Sequence, residues 1–363
     1  MKIDISIKNL SPWTIQKRRD LHKIPEVAYK EFKTSKYIQS VLEELKLPFT
    51  TVGTGVVVRI KGTKPQKTIG FRADIDGLPI KENTGCDYSS THKGFMHACG
   101  HDGHTAILLG FAKYLTQHPP KNNVVLVFQP AEEGGMGAAQ MLASGLCDAD
   151  EFYALHIDPF LEVGKIGCSD GEGMAGRERF EITVTGASRH TSLRDGKRDA
   201  VLACARLVCE TRYLNGQDFI FQANIISGGT AANIIADTAT LTGTVRYFSD
   251  RVLQLKYKKL HAIMKAIEAT DEVKTKIKIG EQKYPPLVNT RTIFEKVKKL
   301  DGFVPISKKF AAEDFSLFIN KYTGALVWLG AKLDGQPLHS NKFNFDENAL
   351  ANGIQIFVQL LQD

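Results

Sequence analysis

The chain has 363 residues, 43% of them hydrophobic and 24% charged, the profile of an ordinary globular protein long enough for two domains. Its net charge of +7 rests on lysines scattered over 61–67, 256–278 and 296–309, without interleaved aromatics, so the charge points away from nucleic acid and supports only a mild preference for anionic small molecules. No run approaches the ~18 apolar residues of a membrane span, and no apolar run follows Lys2 as in a signal peptide, so no membrane partner and a cytoplasmic location are expected.

Residues 12–46 carry helical periodicity through Leu21, Ile24, Tyr37, Ile38, Val41, Leu42 and Leu45, with Pro25 dividing the run into two helices. Val52–Ile60 and Thr68–Ala73 are β-branched runs bounded by Gly and Pro and read as strands. The second runs into the polar loop Arg72-Ala73-Asp74-Ile75-Asp76-Gly77-Leu78-Pro79, at the strand end where open α/β sheets place ligands. Helix 102–118, strand 123–129, helix 135–145 and strand 152–157 follow. This alternation predicts an α/β fold with a mixed sheet sandwiched by helices.

Around residue 174 the pattern changes. Phe180–Thr185 alternates apolar and polar as a half-exposed strand does. A helix over 199–213, strands over 219–228 and 239–248, a helix over 250–269 and a strand over 273–280 complete a βαββαβ order, that of a ferredoxin-like layer. The first pattern resumes with helices 291–300 and 313–320, strand 325–329 and a closing helix 346–361. The expected organisation is a catalytic domain of residues 1–173 and 283–363, with residues 174–282 inserted as a lid.

Three of the ten histidines fall in Met96-His97-Ala98-Cys99-Gly100-His101-Asp102-Gly103-His104, a loop leading into a helix. Cys99 and His101, two residues apart, can face one way in an extended loop and offer a thiolate and an imidazole to a divalent metal. The adjoining helix N-terminus is expected to lower the Cys99 pKa. Glu132-Glu133, His156 and His339 also fall at strand ends of this half. Cysteine, histidine and glutamate are transition-metal ligands, and five such groups exceed the three that one open catalytic zinc needs, so two ions sharing a ligand are expected. Neighbours at a strand end face opposite ways, leaving one glutamate to bind metal and the other to take a proton from water.

Each member has a plainer reading. His156 could be a hydrogen-bonded core histidine, and Glu132-Glu133 could complement a helix dipole. The remaining cysteines, Cys86, Cys147, Cys168, Cys204 and Cys209, read as free packing thiols. A rival chemistry uses Cys99 as nucleophile with His101 or His156 as its base, and a third reading is a binding protein without catalysis.

Further motifs extend along nearly the whole chain: Arg19-Asp20-Leu21-His22 with Pro25-Glu26, the 71–79 loop, Met96–His104, Phe128-Gln129-Pro130-Ala131-Glu132-Glu133-Gly134, Ala154-Leu155-His156, Gly243-Thr244-Val245-Arg246, Glu313-Asp314-Phe315 and Leu338-His339. In these the sequence resembles the dinuclear-metal amidohydrolases of the aminoacylase/carboxypeptidase superfamily. The branch is the one holding hippurate hydrolase, auxin-conjugate hydrolases and N-acetyldiaminopimelate deacetylases. The resemblance implies Cys99, His101, Glu133, His156 and His339 as ligands of two divalent ions (Zn, Mn, Co or Ni), with Cys99 bridging. It implies Glu132 as general base and Asp74 as a residue that orients the site from behind, while His97 and His104 match no ligand position. It also implies His190 as a lid histidine holding the reacting carbonyl oxygen, Asn233 and Arg246 as contacts to the substrate carboxylate, and a homodimer through the lid.

The family carries Pro-His where this chain has Arg194-Asp195, and a proline where it has Ala236. Ala236, Gly228-Gly229-Thr230 and Asp346-Glu347-Asn348-Ala349 resemble the N-acetyldiaminopimelate deacetylases. The resemblance therefore implies metal-dependent amide hydrolysis of a small N-acyl amino acid, acetyl-diaminopimelate ahead of hippurate-type substrates or dipeptides.

Overall fold

Runs rich in apolar residues form the strands Thr68–Asp74, Asn123–Gln129, Glu151–Asp158 and Thr323–Gly330, each buried along almost its whole length, as strands covered on both faces must be. The computed structural model describes residues 1–193 and 196–362 and falls into two compact units. The first comprises Met1–Gly173, Val288–Ser307 and Asp314–Asp363; the second comprises Met174–Leu287 and Lys308–Glu313.

The first unit is built on an eight-stranded mixed sheet. Its strand order is Phe49–Val52, Gly55–Ile60, Asn123–Gln129, Thr68–Asp74, Glu151–Asp158, Thr323–Gly330, Ile166–Cys168 and Phe303–Pro305. Four neighbouring strands, from 123–129 across to 323–330, run parallel, so their carboxyl ends share one edge. Period-two alternation splits their side chains between two covers. Phe71 packs on Phe111 and Phe357, from helices His101–Gln117 and Ala349–Gln362. Phe152, on the other face, packs on Phe318 of the helix Ser316–Lys321. Gly70 lies opposite Phe152 in the ladder, and a Cβ there would stand 2.3 Å from the ring, so only glycine admits that aromatic.

Several boundaries differ from the sequence pattern. The run read as one strand over 52–60 is a hairpin, Phe49–Val52 against Gly55–Ile60, because Gly53 takes a left-handed φ of +60° and reverses the chain. The first helix spans Ile5–His22, with Asp4 capping the Ser6 amide at 2.7 Å. Pro12 is tolerated inside it. Ile166–Cys168 and Phe303–Pro305 are strands too short for any alternation to be visible.

The second unit carries a four-stranded antiparallel sheet in the order Phe219–Gly228, Thr238–Tyr247, Gly176–Thr185, Lys274–Ile279. With helices Ala200–Thr211 and Asp250–Asp271 this is the βαββαβ arrangement with a 2-3-1-4 strand order. One face packs Phe180, Ile182, Leu241 and Val245 against Leu207, Leu260 and Met264 of the helices. The opposite face presents cross-strand threonines, Thr183 to Thr240 and Thr185 to Thr238, and it is partly to fully exposed. The chain returns to this unit at Lys308–Glu313, where Ala175 N–H donates to Lys309 O and Ala311 O. No sequence pattern marks that return.

No helix among the described residues is long and apolar enough to cross a membrane.

Candidate metal centre

The site forms at the carboxyl edge of the parallel strands. Asp74 ends Thr68–Asp74, and its neighbour Asp76 follows in the loop. Cys99 precedes the helix His101–Gln117, with Gly100 between them at a φ of +86°. A Cβ on Gly100 would also press on Ile157 Cδ1 at 3.1 Å, so backbone conformation and space both require glycine there. Glu132 and Glu133 lie in the turn after Asn123–Gln129, shaped by a left-handed Ala131. His156 lies within Glu151–Asp158. His339 adopts a left-handed φ of +65° and donates its N–H to Ala98 O at 2.8 Å.

These side chains converge. Cys99, His101 and His156 bring ligand atoms within 4.8 Å of one another; so do Cys99, Glu133 and His339, and so do His101, Glu132 and Glu133. Cys99 Sγ is 3.7 Å from His156 Nε2, and His339 Nε2 is 3.1 Å from Glu133 Oε1. Cys99, His101 and Glu133 thus each belong to two of these three overlapping groups, as a pair of ions sharing ligands would require. His101 Nε2 is buried without a hydrogen-bond partner among the described residues. Buried polar atoms are seldom left so. Sulfur, imidazole and carboxylate donors gathered around a buried unpaired imidazole nitrogen fit divalent transition ions.

The charges agree. Burial works against protonating His101, but Asp74 and Cys99 overcome it and hold its pKa well above the ordinary value. Hydrogen bonds with Cys99 and Glu133 raise His339 to about 10. Without metal the site therefore gathers protons, and a cation would replace them. Burial pushes the Cys99 thiol up, partly offset by His101. The direction is opposite to the lowering expected at a helix end, because burial is the largest influence on the thiol. The nucleophile reading loses ground with it, and Glu133 and His339 would then have no role.

A second correction concerns the glutamates. They do not face opposite ways from a strand end, since the strand stops at Gln129 and both reach His101 from a turn.

Interlocked hydrogen bonds hold the ligands from behind. Ile157 N–H donates to His104 Nε2 at 2.9 Å, which assigns the proton to His104 Nδ1; that donates to Asp74 Oδ1 at 2.6 Å. Both ring nitrogens of His104 are thereby used, and it has no free atom for a metal. Asp74 Oδ2 accepts from buried Arg72 at 2.7 Å and lies 3.7 Å from His101 Nε2. Asp76, absent from the residues expected at the site, accepts from His101 Nδ1 through its backbone O at 3.0 Å and Oδ1 at 3.2 Å. Its Oδ2 takes the Glu133 N–H at 3.0 Å. The available signal was the spacing of Asp74 and Asp76. Fully buried Glu31 accepts from Ala131 N–H at 2.9 Å and from the Thr54 hydroxyl at 2.7 Å, fixing the turn that carries Glu132.

A separate cluster of His22, Glu82 and Cys86 also lies within ligand distance, but its geometry is already explained. His22 bridges Asp102 at 2.8 Å and Glu82 at 3.3 Å, and Arg18 joins Asp102 at 2.8 Å. Cys86 is half-buried, and Cys209 is exposed rather than packed as expected.

The other predicted residues lie in the second unit. Arg189–His190 pairs with Ile234–Ile235, and Thr191 N–H donates to Asn233 O at 3.1 Å, which sets exposed His190 beside exposed Asn233. Half-buried Arg246 donates from Nη1 to Phe310 O at 2.9 Å. Arg194 and Asp195 lie outside the described residues.

Known proteins are similar to this chain over nearly its whole length. It is 33% identical over 367 residues to N-acetyldiaminopimelate deacetylase of Leuconostoc mesenteroides, covering 95% of each chain. It is 36% identical over 361 residues to the enzyme of that name from Shouchella clausii, covering 95% of this chain and 96% of the other. A Bacillus subtilis structure described as a dinuclear metal binding peptidase of the M20 family superposes with a TM-score of 0.89 at 32% identity, covering 98% of both chains. Residues 70–363 match the model of peptidase family M20/M25/M40, and the chain belongs to that family.

Proposed function

We propose that the protein removes the acetyl group from N-acetyldiaminopimelate by metal-dependent hydrolysis of its amide bond. The observation that carries this reading is the convergence of Cys99, His101, Glu133, His156 and His339 into overlapping ligand groups with Glu132 alongside. The relatives named N-acetyldiaminopimelate deacetylase, similar over nearly the full chain, support the substrate. The M20 neighbour described as binding a dinuclear metal supports two ions.

Cys99, His101, Glu133, His156 and His339 would hold the two ions. Thiolate and imidazoles favour zinc, and the carboxylate also admits manganese, cobalt or nickel. Bound ions supply Lewis acidity and bring the pKa of water towards ~7. Glu132 accepts the proton of the attacking water and delivers it to the departing amine. Asp74 keeps His104 and Arg72 in place behind the ligands. His190 donates to the amide oxygen as charge develops on it, and such donors contribute about 3 kcal/mol each. Asn233 and Arg246 hold the substrate carboxylate.

The second unit acts as lid and as the homodimer contact, in a cytoplasmic enzyme. Its edge strand Phe219–Gly228 exposes Ile225 at 58% and Ile226 at 46%. The opposite edge is guarded by Lys274, Lys276 and Lys278.

The deciding experiment compares hydrolysis of N-acetyldiaminopimelate, hippurate and N-acetylmethionine by zinc- and manganese-reconstituted protein. N-acetyldiaminopimelate is expected to have the highest kcat/KM. Equal or faster cleavage of hippurate would overturn the assignment.

A further inference from the structure

On the open face of the second unit's sheet, Arg177 and Arg246 are direct cross-strand partners in the ladder between Gly176–Thr185 and Thr238–Tyr247. Like charges at directly opposed positions are destabilising, and a sheet has no structural need for two guanidiniums there. The burden is visible on Arg246, whose pKa is lowered by burial and by the charge of Arg177. Neither arginine has an ion-pair partner among the described residues. Arg246 spends Nη1 on the carbonyl of Phe310, which leaves its charge uncompensated. Arg177 lies over the Tyr284 ring with its Cζ 4.2 Å from the centroid. Its Nε and Nη2 are both buried with no hydrogen-bond partner among the described residues.

Those two atoms form one edge of the guanidinium, the edge whose parallel N–H groups match the two oxygens of a carboxylate. Stranded donors of this kind are costly, and the aromatic stack orients the plane without consuming a donor. No hydrogen bond at Nε or Nη2 has to be broken for the group to turn onto an anion, so reorganisation is cheap.

We propose that Arg177 is a specificity-determining residue that binds a second carboxylate on the substrate, beside the carboxylate taken by Arg246. The inference rests on the reading that Arg246 holds the carboxylate next to the scissile amide. Two guanidiniums a cross-strand distance apart are best complemented by a dianion, and an N-acyl amino acid with a carboxylate at each end supplies it. Monocarboxylate substrates would leave Arg177 with its donors unfilled, the condition under which a polar site rejects an analogue most strongly.

N-acetyldiaminopimelate and N-acetyl-lysine differ only by the distal carboxylate, so they isolate this contact. In Arg177→Met, which keeps the stem over Tyr284, the ratio of their kcat/KM values should collapse by about 10- to 100-fold, the loss expected for a charge-assisted pair. Arg177→Lys should recover part of the ratio, since charge remains without the paired donors. Equal losses on both substrates, with the ratio kept, would overturn the proposal and leave Arg177 a structural residue. If the unaltered protein hydrolyses neither compound, the deacetylase reading fails, and direct binding still decides the role of Arg177. Pimelate should then bind more tightly than hexanoate to the unaltered protein, with the preference lost in Arg177→Met. No preference for pimelate would overturn the proposal in that case.

Discussion

The candidate metal centre in the first unit and the candidate substrate contacts in the second hold their polar side chains in opposite ways. In the first, Arg18, Arg72, Asp74, Asp76, His101, Asp102 and His104 are all at most 2% exposed and interlock through charge-assisted hydrogen bonds. In the second, His190, Asn233 and the threonine face stand on an open sheet and a two-residue ladder. Buried polar groups are stable when their partners are in place, and these partners also fix the ligand atoms. Residues that read a substrate need the reverse: unfilled donors and room to turn. Chemistry and recognition are thus separated by how tightly their residues are wired.

That contrast can be tested by breaking it at graded points. Glu132→Gln is expected to lower kcat by about 10²–10⁴, the range of a general base, while elemental analysis still finds the bound metal; near-normal turnover would remove Glu132 from its role. Arg18→Met leaves Asp102 in the interior with His22 as its remaining partner; removing one partner of a buried pair costs up to about 3–5 kcal/mol, read as a lower midpoint in urea unfolding. A pH series on metal-reconstituted protein, where His101 and His339 would be tied up as ligands, follows His22 in the same network. Burial opposes its protonation, but Asp102 and Glu82 raise it to about 9. Because the folded pKa is the higher one, the stabilisation is complete below about pH 6.5 and is lost as pH rises through 9. Unfolding free energy should fall by the order of 3 kcal/mol over that interval, and His22→Gln should flatten the curve.

Asp76→Ala removes the side-chain support for His101 and Glu133, and metal affinity should drop about 10- to 100-fold in competition with a chelator. Thr240→Val, on the open face of the second unit, should move stability by no more than about 0.5 kcal/mol in thermal unfolding. A large loss there would show that the face is covered and erase the contrast.

Much of this is legible from the residues because the relevant signals are local. The Cys99–His101 spacing, the helix after Gly100 and the apolar runs that become the central strands all lie within single short segments. The βαββαβ order can be read from alternation alone. What the residue pattern hides acts across distance. Glu31 fixes the Glu132 turn from 100 residues away, and Asp76 holds His101 partly through a backbone oxygen, which no side-chain pattern encodes. The Cys99 pKa moves against expectation because a sequence shows proximity to a helix end but not depth of burial.

The return of Lys308–Glu313 to the second unit has a practical consequence for protein engineering. Chimeras that exchange residues 174–287 between family members as one cassette would leave behind the hexapeptide whose Phe310 carbonyl engages Arg246 and whose ring meets Phe248 at 5.0 Å. A successful swap of substrate preference must transplant both stretches of chain together.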